Sequence, residues 1–142
     1  GCEIVAAADL AVATVDATFA LPEASIGAYP PYAAERVAAT IGKKRFMELA
    51  LTAQPIGADR AADWGLLNRV VSQDALEPTV EELVDSIAAS PAASIRTTKR
   101  VVAASIQEAG EQERVRGGFA QVRSDEGSRA ATERFLQGDP EV

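Results

Sequence analysis

Two glutamates set in apolar sequence are the residues of this chain best suited to chemistry. Glu3 is followed by Ile4, Val5, Ala6 and Ala7, and Glu23 comes directly after Phe19, Ala20, Leu21 and Pro22. A carboxylate buried without a partner is costly, so each acid needs either a hydrogen-bonding partner or a chemical task. Two such acids invite a reading in carboxylate acid–base chemistry. The chain has no histidine and a single cysteine, Cys2. That removes Ser-His-Asp triads, Cys-His pairs and histidine metal sites, and leaves carboxylates as the main catalytic resource. The simpler readings are a helix-start carboxylate paired with a backbone N–H or an arginine for Glu3, and a solvated strand-end carboxylate for Glu23. Cys2 reads as a packed thiol, because an apolar setting disfavours the thiolate.

The elements that must position these acids follow from the local pattern. Residues 1–8 are small and apolar apart from Glu3, which predicts the first turns of a buried helix with an acid at its positive end. Residues 10–13 and 17–21 are short apolar runs bounded by Asp and Pro, and they read as two strands joined through Thr14-Val15-Asp16. Going out along a helix and back along strands permits Glu23 to return near Glu3. Residues 27–32, with Pro30-Pro31, read as a rigid loop. Helices are expected at 33–40, 43–52 and 58–64, the second packing Phe46, Leu49, Ala50 and Ala53 on one face and the third ending at Gly65. Trp64 and Phe46 read as core, and residues 66–71 as an extended segment.

Downstream the pattern is helical. Asp74 and Glu77 resemble a capping box, with Leu76, Val80, Leu83, Val84 and Ile87 following at helical spacing. Ser90-Pro91 marks the end of that helix and the start of the next, whose stripe is Ile95, Val102 and Ile106. Gly110 and Gly117-Gly118 read as punctuation between the remaining helical segments, and residues 138–142 as a frayed end.

Composition narrows the partners. The 142 residues are 47% apolar and carry a net charge of −7, which disfavours nucleic acid and anionic membrane surfaces. No run approaches the roughly 18 uninterrupted apolar residues of a membrane span. One cysteine cannot form an intramolecular disulfide, which fits a reducing cytoplasm. Lys99-Arg100 and Arg114, Arg116 and Arg123 are interspersed with Glu108, Glu111, Glu113 and Asp125, the mark of a solvated, ion-paired face. A contact to phosphates is the alternative for these cations.

Four short motifs resemble the enoyl-CoA hydratase/isomerase, or crotonase, family. Gly1-Cys2-Glu3-Ile4-Val5-Ala6 matches its Gly-Gly-Gly-x-Glu-Leu-Ala helix start, and Ala8-Asp9-Leu10 its Ala-Asp-Leu strand. Phe19-Ala20-Leu21-Pro22-Glu23 matches the Phe-x-x-Pro-Glu strand end, and Gly27-Ala28-Tyr29-Pro30 the Gly-x-x-Pro that follows. Leu49-Ala50-Leu51-Thr52-Ala53-Gln54-Pro55-Ile56 and Ala61-Ala62-Asp63-Trp64-Gly65-Leu66-Leu67-Asn68-Arg69-Val70-Val71 extend the likeness, which weakens after Ile106. The chain departs from the family at Pro30-Pro31-Tyr32-Ala33-Ala34, where Pro-Gly-x-Gly-Gly is common. It also lacks the Lys-Arg usual soon after Ser124-Asp125-Glu126-Gly127.

The resemblance implies the C-terminal half of a crotonase-type ββα spiral: an α/β fold, mostly helical here. Residues 1–72 would be the end of the core carrying the two glutamates, and residues 73–142 a C-terminal helical oligomerisation region. It implies an enoyl-CoA hydratase of fatty acid metabolism, adding water to a 2-enoyl thioester, with Glu3 activating water and Glu23 protonating C2. Coenzyme A enters as part of the substrate, with no separate cofactor and no metal. A homotrimer or dimer of trimers is implied, with the Ile95/Val102/Ile106 stripe buried between copies. Tyr29 is placed either on the acyl pocket wall or in simple loop packing. Both oxyanion-hole donors fall on family positions before Gly1, so the chain by itself is expected to be inactive. The alternatives are another crotonase-type acyl-CoA isomerase, decarboxylase or hydrolase, a non-catalytic oligomerisation or binding module, and a truncated product with no role of its own.

Overall fold

The computed structural model describes residues 1–106 and 111–138. Helix α1 (Cys2–Ala7) starts the chain and packs against α2 (Pro31–Ile41), which in turn packs against α3 (Lys43–Thr52). Between α1 and α2 lie strands β1 (Val12–Thr14) and β2 (Thr18–Phe19) and a 3-10 turn, Pro22–Ile26. Strand β3 (Ile56–Gly57), helix α4 (Ala58–Asp63) and strand β4 (Arg69–Val71) follow. A second 3-10 turn, Gln73–Ala75, leads into α5 (Leu76–Ala88), α6 (Ala92–Ile106), α7 (Glu111–Ser124) and α8 (Glu126–Leu136).

The two strands expected to follow one another do form, but they do not pair together. β1 runs parallel to β4, Val12 opposite Arg69 and Thr14 opposite Val71, while β2 runs antiparallel to β3, Phe19 opposite Ile56. The link Thr14-Val15-Asp16 is a tight turn closed by the Ala17 N–H on the Thr14 carbonyl at 3.0 Å. It therefore redirects the chain from one strand pair to the other. Asn68 locks the entry to β1 through both backbone groups of Ala11: its N–H donates to the Ala11 carbonyl at 2.8 Å and its Oδ1 accepts from the Ala11 N–H at 2.8 Å.

Helix boundaries follow the proline and glycine signals more closely than the strand pairing does. Pro22 and Pro31 open their elements at the first helical position, where a missing N–H costs nothing. The loop expected through residue 32 is thus shorter, because Pro31 begins α2. Gly65, at φ 88°, takes up the left-handed conformation that ends α4, as its position predicts. Two expectations fail here. Asp74 and Glu77 form no capping box, because the 3-10 turn Gln73–Ala75 intervenes and α5 starts from Ala75 with no side-chain cap. Gly117-Gly118 does not break the tail, since α7 runs through both.

The core gathers around α2, α3 and α4. Leu21, Val37 and Leu49 are fully buried, with Phe46, Ile56 and Trp64 around them. Phe46 and Trp64 are therefore core, as the helical stripes predict, and Arg60 stacks 4.6 Å from the Trp64 ring centroid. The expectation of a helix buried on every side is not met by α1. Cys2 is buried but Ile4 is 77% exposed, because α2 covers one flank only. α5 likewise buries none of its residues fully, and Val80, Val84 and Ile87 stand exposed. The Ile106 side chain and the cations Arg114 and Arg116 lie outside the described side chains, as Gly110 and residues 139–142 lie outside the described residues.

Candidate active site

Glu3 sits in the first turn of α1, and its carboxylate reaches across to the start of α2. Its Oε1 accepts the Ala33 N–H at 3.0 Å, so one of the unpaired donors in the first turn of α2 is satisfied from another helix. This is the backbone pairing anticipated for a helix-start acid, with a donor 30 residues away. Residue type carries no signal for it, because every non-proline residue has the same N–H.

Glu23 lies in the first turn of the 3-10 element rather than at a strand end. Pro22 sets the entry to that turn, Gly27 ends it at φ 70°, and the Glu23 carbonyl accepts the Ala28 N–H at 2.8 Å. The side chain turns inward instead of into solvent. Its Oε2 is buried and has no hydrogen-bond partner among the described residues. A buried acceptor left unpaired costs about 1–3 kcal/mol, so this oxygen is placed to accept from a water or a bound ligand.

Cys2 links the two acids. Its thiol is buried and donates to the Ala20 carbonyl at 3.2 Å, tying the start of α1 to the residues that lead into the Glu23 turn. Burial pushes the thiol pKa up, and the Glu23 carboxylate adds to that shift by repelling a thiolate. The inert, packed cysteine read from the sequence is the one found.

Other candidates fall elsewhere. Tyr29 packs its ring against Gly118 of α7, where an added Cβ would come within 2.5 Å of the ring, which is the loop-packing alternative. Lys99 pairs with Asp9 at 2.5 Å, in keeping with an ion-paired face. A cleft of about 370 Å³ lies beside the C-terminal half of α1, bounded by Arg36, Thr40, Asn68 and Lys99, and a groove of about 680 Å³ lies between α5 and α6. Neither is lined by Glu3 or Glu23. Among the described residues no group of three or more His, Cys, Asp or Glu is placed to hold a metal, and no helix is long and apolar enough to cross a membrane.

An acid-bearing helix, short strands, a second acid on a proline-led turn and a run of helices define a segment of the crotonase-type α/β fold. The chain belongs to the enoyl-CoA hydratase/isomerase family, whose sequence profile matches residues 1–136. It is 37% identical over 103 residues to a short-chain-enoyl-CoA hydratase of Clostridioides difficile, across 72% of this chain and 66% of that protein. It is 38% identical over 99 residues to a mevalonyl-coenzyme A hydratase of Aspergillus fumigatus, across 69% of this chain and 37% of that one. The crystal structure of a carnitinyl-CoA hydratase from Mycobacterium avium matches with a TM-score of 0.84 at 27% identity, over 97% of this chain and 55% of that chain. The chain therefore spans about half the length of that solved structure and at most 66% of these two relatives.

Proposed function

We propose that this chain supplies the carboxylate half of an enoyl-CoA hydratase. Water adds across the double bond of a 2-enoyl-CoA thioester: its oxygen bonds to C3, one of its protons leaves to a carboxylate, and C2 gains a proton from the other acid. Glu3 activates the water and Glu23 protonates C2. The observation that carries this reading is the buried, unpartnered Oε2 of Glu23, on a turn whose lead-in residue Ala20 is tied by the Cys2 thiol to the start of the helix that carries Glu3. The Ala33 N–H on Glu3 supports the division of roles, because it fixes that carboxylate in one orientation as the base. The likeness to hydratases of short-chain-enoyl-CoA, mevalonyl-CoA and carnitinyl-CoA supports an acyl-CoA substrate. In this reading coenzyme A arrives with the substrate and no other cofactor or metal is used.

The oxyanion-hole donors of such an enzyme belong to the preceding half of the fold, and removing even one such donor costs about 10²–10³ in rate. The exposed apolar faces of α5 and α6 suit assembly into a homotrimer or a dimer of trimers, with residues 1–72 as the core part and 73–142 as the assembling part. The single free cysteine suits the cytoplasm. The test is hydration of a short 2-enoyl-CoA, followed by loss of the conjugated enoyl absorbance, for the chain joined to an upstream crotonase half. Turnover that Glu3→Gln and Glu23→Gln each reduce by about 10²-fold or more supports the reading. A folded protein that binds acyl-CoA and leaves the enoyl group untouched overturns it.

A further inference from the structure

The C-terminal helices α7 and α8 pack back onto the segment that carries one acid and holds the other. Residues 23–33 run from Glu23, through the end of the 3-10 turn, to Ala33, whose N–H holds Glu3. Three contacts fasten this segment from behind. The Thr132 hydroxyl lies 2.9 Å from the Ile26 carbonyl, a pairing across 106 residues. Gly27 presses against the Ser128 carbonyl so closely that a Cβ at Gly27 would overlap it. The Tyr29 ring lies against Gly118. The hydroxyl of Thr132 is also 2.9 Å from the Ser128 carbonyl of its own helix, so its one proton is shared between a local acceptor and a distant one.

We infer that Thr132 is a positioning residue for the acid–base pair, holding the Ile26 carbonyl so that the turn presents Glu23 and the following loop presents the Ala33 N–H to Glu3. The inference rests on the reading of Glu3 and Glu23 as that pair. Thr132 touches no reacting atom in this role. A five-residue 3-10 turn is short and its hydrogen-bond geometry is poorer than an α-helix's. The Ser25 hydroxyl on the Pro22 carbonyl at 2.7 Å, the Ala28 N–H on the Glu23 carbonyl at 2.8 Å and a longer 3.4 Å bond from the Gly27 N–H to the Ala24 carbonyl all close within residues 22–28, whereas Thr132 ties the turn to α8. An acid displaced by 1 Å can lose about 10²-fold in rate, so a small tilt registers in turnover.

Two measurements on Thr132→Val, which keeps the shape and loses the proton, and Thr132→Ser, which keeps the proton, test this. In the chain joined to its upstream half, Thr132→Val is expected to lower kcat about tenfold with KM changed less than about twofold, and Thr132→Ser to restore kcat to within about twofold. In the chain as it stands, amide exchange at Gly27 and Ala28 is expected to quicken in Thr132→Val and return in Thr132→Ser. An unchanged kcat, a rise in KM alone, no rescue by serine, or unchanged exchange at Gly27 and Ala28 each overturns the positioning role. Glu23→Gln run alongside separates the two ideas. If it abolishes turnover while Thr132→Val does nothing, only the positioning role fails; if it leaves turnover intact, the acid–base reading fails and the positioning role with it.

Discussion

At the scale of single residues, the site is defined by three side chains with different degrees of satisfaction. Glu3 has a backbone donor, the Cys2 thiol has a backbone acceptor, and Glu23 Oε2 has neither donor nor solvent among the described residues. A raised thiol pKa in a buried site makes Cys2 a poor nucleophile at neutral pH. Alkylation of the native chain at pH 7 is therefore expected to be slow, and to become fast once denaturant exposes the thiol; equal rates in the two states, measured by mass spectrometry over a time course, would contradict the buried site. Glu3 was legible from its motif, but its partner was not. Ala33 has no side-chain chemistry, and its N–H matters only because α2 begins two residues earlier at Pro31.

At the scale of elements, two glycines and one aspartate decide how α7 and α8 meet the rest. Gly27 sits at φ 70° against the Ser128 backbone, so Gly27→Ala introduces both a strained backbone and an overlap that the rigid carbonyl cannot relieve. The left-handed strain alone costs about 1–2 kcal/mol. Thermal unfolding of Gly27→Ala should show a drop in Tm with early loss of α8 protection. Asp125 caps α8 by accepting the Ser128 N–H at 2.8 Å, and that bond holds its carboxyl below the ordinary aspartate value of 3.8. Its contribution is thus present above the unfolded value and lost as pH falls through the lowered folded one. Amide exchange at Ser128 is expected to rise in that acid range in the native chain and to be high at every pH in Asp125→Ala. The preceding helix, α7, shows how local pattern can mislead. Glycines in α7 read as breaks, yet Gly118 is where Tyr29 makes its close approach, so a residue that weakens a helix locally serves the packing.

At the scale of the whole molecule, the core and the surface differ in completeness. Leu49 is 1% exposed at the centre of the α2–α3–α4 cluster, and Leu49→Ala should cost about 2–5 kcal/mol, read as a fall in the urea midpoint. Elsewhere Ile4, Leu10 and Val15 lie open beside α1 and β1, and Val80, Val84, Val101 and Val102 lie open on α5 and α6. Two-stranded sheets such as β1–β4 and β2–β3 are marginal without further strands or packing, and their free edges invite pairing. The chain is accordingly expected to self-associate, and Val84→Lys together with Val80→Lys to shift it toward smaller species in light scattering. No shift would place the association on the α1–β1 side instead.

Residue type and spacing by themselves determined the family motifs, the two acids and the glycine end at Gly65, whereas Pro22 and Pro31, read as a strand end and a loop, open helical elements in the structure. Type and spacing also determined the apolar stripe of α3, because a helix writes its buried face into sequence every three or four residues. The tertiary structure alone decided that β1 pairs with β4 and β2 with β3, that α1 is covered on one flank, that Glu23 Oε2 is buried without a partner, and that Thr132 meets the Ile26 carbonyl. Each of these depends on groups far apart in the chain, and most involve backbone N–H and C=O groups that every residue type shares. Such pairings leave no periodic trace in sequence, since what selects one carbonyl or one strand edge over another is where the packed core brings it.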